Sequence, residues 1–181
     1  MPKAYFKHTI EEYLNALASD APSPGGGSAA ALTAATACAL LEMTARINDK
    51  RAKKTRDHSK VSAARARFGE LMDEDTAAFL ALSAFKKEDR ESDAYQKAVS
   101  HAAVVPLEIC TLSAGLLKTA EAEVPFTSAW LMSDLEESVL LFRSAIRAAK
   151  FNVDINLKSV TDSTFAEKLR RELSHCLEAC Q

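Results

Sequence analysis

Apolar residues recur along this chain at intervals of three and four, and no sustained alternation marks a strand, so the pattern predicts helices throughout. A first short stripe, Ile10, Tyr13, Leu14 and Leu17, opens on a Thr9–Glu12 capping box and stops at Asp20 and Pro22. The second helix is expected to start with Ser28 as its N-cap and to run through Ala29–Leu41. Seven alanines between residues 29 and 39 leave small side chains on every face, which lets neighbours approach closely and places this helix at the centre. Phe68, Leu71, Met72, Phe79 and Leu82 mark a third helix. Tyr95–Ala120 reads as a long helix interrupted at Pro106, with a kink after Val105. Ser133–Glu136 is a second capping box, ahead of Leu135, Val139, Phe142, Ile146 and Ala149 on one face. The polar and apolar alternation of Asn152–Leu157 suits either a short extended piece or a continuation of that helix. From about Thr164, Phe165, Leu169, Leu173 and Leu177 form a last stripe. No repeat or linker divides the chain, so the expectation is all-α: a single antiparallel helical bundle over residues 1–181 around a central Ala-rich helix.

Composition narrows the function classes. At 181 residues, 48% hydrophobic and 27% charged, the chain has the balance of one globular domain. The N-terminus lacks the basic, apolar and cleavage-site succession of a signal peptide, and the apolar run Ala29–Leu41 is too short to span a bilayer, so a cytoplasmic location is expected. The net charge of −2 conceals an asymmetry: residues 46–67 carry +7 and the remainder −9. With no aromatic residue interleaved in that basic stretch, neither nucleic acid nor a membrane is the expected partner, and a local attraction for a polyanionic small molecule stays open. Cys38, Cys110, Cys176 and Cys180 have no Cys-x-x-Cys spacing. His175, Cys176 and Cys180 bring three soft ligands near one helical face, but no fourth is evident and no metal is expected.

Three features carry candidate chemistry. The run Pro22-Ser23-Pro24-Gly25-Gly26-Gly27-Ser28 holds three of five glycines and two of five prolines, and empties into a helix N-terminus, where free N–H groups and the helix dipole favour an anion. It lacks the Gly-Lys-Ser/Thr ending of a P-loop and any preceding strand, so it is not read as a nucleotide fingerprint. Asp75 falls on the apolar stripe of the third helix, three residues after Met72 and four before Phe79. A carboxylate facing inward must be paired, protonated or used. Asn152 and Asn156 share a side and offer uncharged donors and acceptors. His101 has no catalytic partner nearby in sequence and reads as structural or exposed.

Taken together and in order, Pro24–Ser28 with its Ala-rich helix, Asp75-Thr76-Ala77-Ala78-Phe79, Val105-Pro106-Leu107-Glu108, Ser133-Asp134 and Asn152–Lys158 resemble the cyclodeaminase/cyclohydrolase family. That family includes the C-terminal half of formiminotransferase-cyclodeaminase and separate bacterial enzymes. The resemblance implies an all-helical homodimer with folate sites near the subunit interface, acting at the bridge of 5,10-methenyltetrahydrofolate. It implies Asp75 as catalytic acid/base and, second, Asp134 orienting the pterin or a water. It further implies Pro24, Gly25, Gly26, Gly27, Ser28, Ser133, Asn152 and Asn156 as substrate contacts, with Lys50 and Arg51 attracting a polyglutamate tail. No cofactor is expected beyond the tetrahydrofolate that serves as substrate and carrier. Cyclodeamination of 5-formiminotetrahydrofolate is the first expectation, cyclohydrolysis of the methenyl form the second, and a non-catalytic folate- or protein-binding dimer the third. Two segments depart from the family pattern: Asn48–Lys54 replaces a short Gly-Lys-Lys-like segment, and no proline follows near Phe85-Lys86-Lys87.

Overall fold

A computed structural model describes residues 4–180 and contains no strand among them. Six helices follow one another: α1 (Ile10–Leu17), α2 (Gly26–Ala52), α3 (Ser59–Ser83), α4 (Asp93–Glu123), α5 (Met132–Leu157) and α6 (Ser163–Glu178). Short connections make α2 to α5 run up and down in turn. Pairing confirms the antiparallel neighbours: Glu42 of α2 meets Ser62 and Arg65 of α3, Arg67 of α3 meets Glu108 of α4, and Asn156 of α5 meets Ala102 of α4.

α2 lies at the centre, packed on α3, α4 and α5. Ala30, Ala31, Ala34, Ala35, Ala37 and Cys38 are buried along it, and these small side chains let the larger Phe68, Leu71, Phe142 and Ile146 of its neighbours close over it. α2 and the run Asp93–Phe126 are each long and apolar enough to cross a membrane by length and composition, beyond what the run Ala29–Leu41 suggested. Of those apolar windows 61% and 56% are buried inside the bundle, where their side chains form core.

Local chemistry overrides the sequence pattern at several boundaries. α1 begins with its expected capping box, but only Tyr13 of its stripe is buried; Ile10 is 80% and Leu14 50% exposed. α2 starts at Gly26 with Gly25 as N-cap, so Ser28 sits inside the first turn rather than capping it. α4 runs unbroken through Pro106. α5 starts at Met132 with Leu131 as N-cap and no side-chain cap, so the Ser133–Glu136 capping box does not form, while Asp134 does sit in the first turn. The alternating Asn152–Leu157 segment is the last turn and a half of α5, as its helical option required.

Candidate active site

One pocket brings Asp75, Asn152 and Asn156 together with Gly25 and Gly26 of the glycine run. It encloses about 480 Å³ between the loop before α2, the second half of α3 and the end of α5, with Ala102 of α4 at its back. That volume suits a drug-sized ligand. Pro22, Ser23, Gly25 and Gly26 form one wall, Asp75, Thr76, Phe79 and Ser83 another, and Asn152, Ile155 and Asn156 a third.

Asp75 is placed by a close approach to glycine. A Cβ on Gly27 would lie 2.0 Å from Asp75 Oδ1, so only glycine at this position lets the carboxylate settle against the first turn of α2. There Ser28 N–H, one of the donors that a helix start leaves free, bonds Asp75 Oδ2 at 3.1 Å. The other two glycines face no comparable contact: a Cβ on Gly26 would sit 3.7 Å from Asn152 Nδ2, and one on Gly25 would meet nothing within 4 Å. The anion expected at this helix N-terminus is therefore, at Ser28, the protein's own carboxylate. Burial raises the Asp75 pKa above the ordinary aspartate value, and the Ser28 bond only partly opposes it. No ion pair reaches Asp75 among the described residues.

Behind this carboxylate stands a residue that the sequence pattern assigned to core alone. Tyr13 is 3% exposed, and its hydroxyl donates to Ser28 Oγ at 3.3 Å. Burial raises its pKa as well, with the nearby Asp75 adding to the effect, so the phenol stays protonated. α1 thereby buttresses the first turn of α2. Spacing alone places Tyr13 on a core stripe and does not show that its hydroxyl would face Ser28.

Asn156 donates through Nδ2 to the Ala102 carbonyl at 2.6 Å, and its Oδ1 accepts no hydrogen bond from the described residues. Asn152 reaches only its own helix, Nδ2 to the Ala148 carbonyl at 3.4 Å, a long contact that leaves its amide adaptable. Phe79, on the predicted core stripe, is instead 42% exposed and supplies an apolar wall together with Ile155, which is 57% exposed. Pro24, Gly27 and Ser28 are buried and do not line the pocket.

Four expected site residues lie elsewhere. Lys50 and Arg51 are near the other end of α2, about 36 Å from Gly26 at 1.5 Å per residue. Ser133 and Asp134 are in the first turn of α5, about 27 Å from Asn152 by the same rise. A single chain cannot bring them to the pocket, because long antiparallel helices separate their own ends. Arg51 instead donates to Ser128 Oγ and lies over the Trp130 ring, 5.5 Å from its centroid. At this far end Arg56 bridges the carboxylates of Asp49 and Glu123, Asn48 bonds Glu123 and Thr127, and His58 Nε2 lies 3.0 Å from Asp49 Oδ2. His101 is exposed. His175 faces solvent beside Glu178 while Cys176 and Cys180 point inward, so the three do not converge. Among the described residues no group of three or more His, Cys, Asp or Glu side chains is placed to hold a metal ion.

Comparison with known proteins agrees with this layout. A family model described as formiminotransferase-cyclodeaminase matches residues 9–175. Methenyltetrahydrofolate cyclohydrolase of Methylorubrum extorquens is 32% identical over 93% of this chain and 88% of its own length. Rat formimidoyltransferase-cyclodeaminase is 29% identical over 94% of this chain but only 34% of its own, so the chain spans about a third of that relative. The crystal structure of formiminotetrahydrofolate cyclodeaminase from Thermotoga maritima superposes with a TM-score of 0.80 at 25% identity, over 96% of this chain and 94% of that one. By family model, by curated relative and by fold, this chain is a member of the formiminotransferase-cyclodeaminase family.

Proposed function

We propose that the protein is a folate one-carbon enzyme that closes 5-formiminotetrahydrofolate to 5,10-methenyltetrahydrofolate with release of ammonia, using Asp75 as the proton carrier. The observation that carries the reading is a carboxylate without a cationic partner among the described residues, at the wall of the pocket, with its proton affinity raised by burial. Starting from the protonated formimino group, N10 attacks the formimino carbon and Asp75 takes the N10 proton. The carbon is then tetrahedral, between N5 and N10, and bears an amino group. Asp75 returns the proton to that nitrogen, the carbon–nitrogen bond breaks, ammonia leaves, and the positive charge remains on the methenyl bridge. A group that must both accept and donate works best with a pKa near working pH, and burial moves Asp75 in that direction.

The N–H group of Gly26 and the amides of Asn152 and Asn156 supply polar contacts for a pterin edge, and Phe79 and Ile155 supply an apolar wall for its ring. No further cofactor takes part, since the folate carries the reacting carbon. The expected partner is a second copy of the chain, with the exposed Phe79, Phe151 and Ile155 at the pocket side as the face assigned to it. Within such a homodimer Lys50, Arg51, Ser133 and Asp134 could serve only a site completed across subunits. A cytoplasmic location fits the same reading.

Cyclohydrolysis is the second reading, favoured by the Methylorubrum relative, which is matched over 88% of its length. In that case Asp75 takes a proton from water attacking the methenyl carbon and returns it to N5 as the carbon–N5 bond breaks, while the hydroxyl on that carbon loses its proton to solvent to form the formyl C=O of the 10-formyl product. Two cuvettes separate the readings. Enzyme-dependent formation of the methenyl chromophore from 5-formiminotetrahydrofolate, with ammonia, establishes the cyclodeaminase. Accelerated loss of the chromophore from methenyltetrahydrofolate, with silence in the first cuvette, establishes the cyclohydrolase. Silence in both removes the catalytic reading.

A further inference from the structure

Pro106 lies within α4 with both neighbouring turns helical. A proline there has no N–H to give to the carbonyl four residues back, and its ring presses that carbonyl outward from the helix axis. The carbonyl four residues back is that of Ala102, and Ala102 lines the pocket. Asn156 Nδ2 of α5 donates to this same oxygen at 2.6 Å. A side chain of one pocket wall thus takes the place of the donor that the proline withholds. The chemistry also fixes which way the amide faces: a carbonyl can receive only the NH₂ side, so Oδ1 is the atom left over. Asn152, one turn earlier, has no such anchor and bonds its own helix at 3.4 Å.

We infer that Pro106 is a positioning residue for the pocket, one that frees the Ala102 carbonyl to hold Asn156 and so presents Asn156 Oδ1 as a fixed acceptor for a ring N–H or amino donor of the ligand. The two asparagines then have different duties. Asn156 reads a donor in a set place, and Asn152 adapts to whatever polar edge the ligand brings. Pro106 touches no ligand itself. The identity of that ligand as a reduced pterin rests on the function proposed above, while the lock between Pro106, Ala102 and Asn156 does not.

The test uses Pro106→Ala in the full chain, alone and combined with Asn156→Ala. Restoring the N–H lets Ala102 rejoin the helical ladder, so the fold is expected to hold or gain stability, with melting temperature unchanged or higher. The Asn156 side-chain amide is followed by proton–nitrogen NMR. In the wild type its bonded proton is shifted downfield and exchanges slowly; in Pro106→Ala it moves toward the position of a free amide. Binding of 5-formyltetrahydrofolate, a stable reduced folate, weakens roughly five- to tenfold in Pro106→Ala, in keeping with the loss of one well-placed hydrogen bond. The same change made in an Asn156→Ala background leaves affinity where Asn156→Ala alone put it. An Asn156 amide signal indifferent to Pro106→Ala overturns the inference, as does unchanged affinity in a protein that binds the folate normally. If the wild type does not bind the folate at all, the proposed function falls, and the NMR result still decides the lock.

Discussion

Two carboxylates on the facing helices α2 and α3 meet opposite fates. Glu42 is 6% exposed, and burial by itself would raise its pKa. Bonds from Ser62, Arg46 and Arg65 overcome burial and hold it at about 2. Asp75 is half-buried against Gly27 with one backbone N–H for company, and its pKa goes up. The difference is not depth but supply of cations. The basic stretch between residues 46 and 67 spends four of its five arginines on other acids: Arg46 and Arg65 on Glu42, Arg56 on Asp49 and Glu123, Arg67 on Glu74 and Glu108. Among the described residues no arginine or lysine pairs with Asp75. An acid left uncompensated at a pocket wall is what the proposed proton transfer requires.

Breaking the comparison at Asp75 should have the largest effect. Asp75→Asn keeps the shape and an oxygen for Ser28 N–H but carries no transferable proton, so turnover falls by about 10²- to 10⁴-fold. Because the folded pKa lies above the ordinary 3.8, the folded protein holds this proton more tightly than the unfolded chain does, and the ionised group costs stability once pH exceeds the folded pKa. Asp75→Asn should therefore melt at a higher temperature than wild type at neutral pH, with the gain vanishing below pH 3.8. Melting curves from pH 3 to 8 check the sign.

Gly27→Ala attacks the same carboxylate sterically. Its Cβ would lie 2.0 Å from Asp75 Oδ1, so the carboxylate must shift, with about 10²-fold lost in kcat/KM and about 1–3 kcal/mol in stability. Gly115→Ala, whose Cβ meets nothing within 4 Å and which lies outside this pocket, is the control.

At the other carboxylate the expected signature is reversed: stability moves and chemistry does not. Glu42→Gln should cost about 1–2 kcal/mol, less than a fully buried pair because Arg46 and Arg65 are 60% and 42% exposed, and leave kcat unchanged. Glu42 stays charged in the folded state down to about pH 2 against an ordinary 4.5, so the stability it contributes is full above pH 4.5 and lost as pH falls toward 2. Acid unfolding followed by circular dichroism should show this limb in wild type and not in Glu42→Gln. The smallest effect belongs to Arg51→Ala. With about 36 Å of α2 between it and Gly26, KM for a monoglutamyl folate changes by less than about twofold. A larger rise would show that this end is completed into a site by a second subunit.

How far the sequence foretold this follows from what each signal encodes. The apolar period sufficed for the bundle and the central alanine helix, since packing rewards that period directly. The inward position of Asp75 was visible for the same reason, as a polar residue on an apolar stripe. Helix ends were less legible: Ser28 and Ser133 have capping chemistry, yet the helices start earlier, at Gly26 and Met132, because tertiary contacts of the first turn outweigh a single cap. Phe79 scored as core by spacing alone, although it lines a pocket that spacing cannot reveal. Lys50, Arg51, Ser133 and Asp134 were grouped with the site by chemistry and family pattern, but their distance from it depends on helix length and direction. The Tyr13–Ser28–Asp75 chain joins three separate elements, and only the folded arrangement brings them together.

The most direct test is the titration of Asp75 itself, read by carbon-13 NMR of its side-chain carboxyl and set beside the pH dependence of kcat/KM. The account predicts a midpoint above the ordinary aspartate value that coincides with the acid limb of the rate profile and disappears in Asp75→Asn. A midpoint at or below the ordinary value, or an acid limb that persists in that variant, would contradict it.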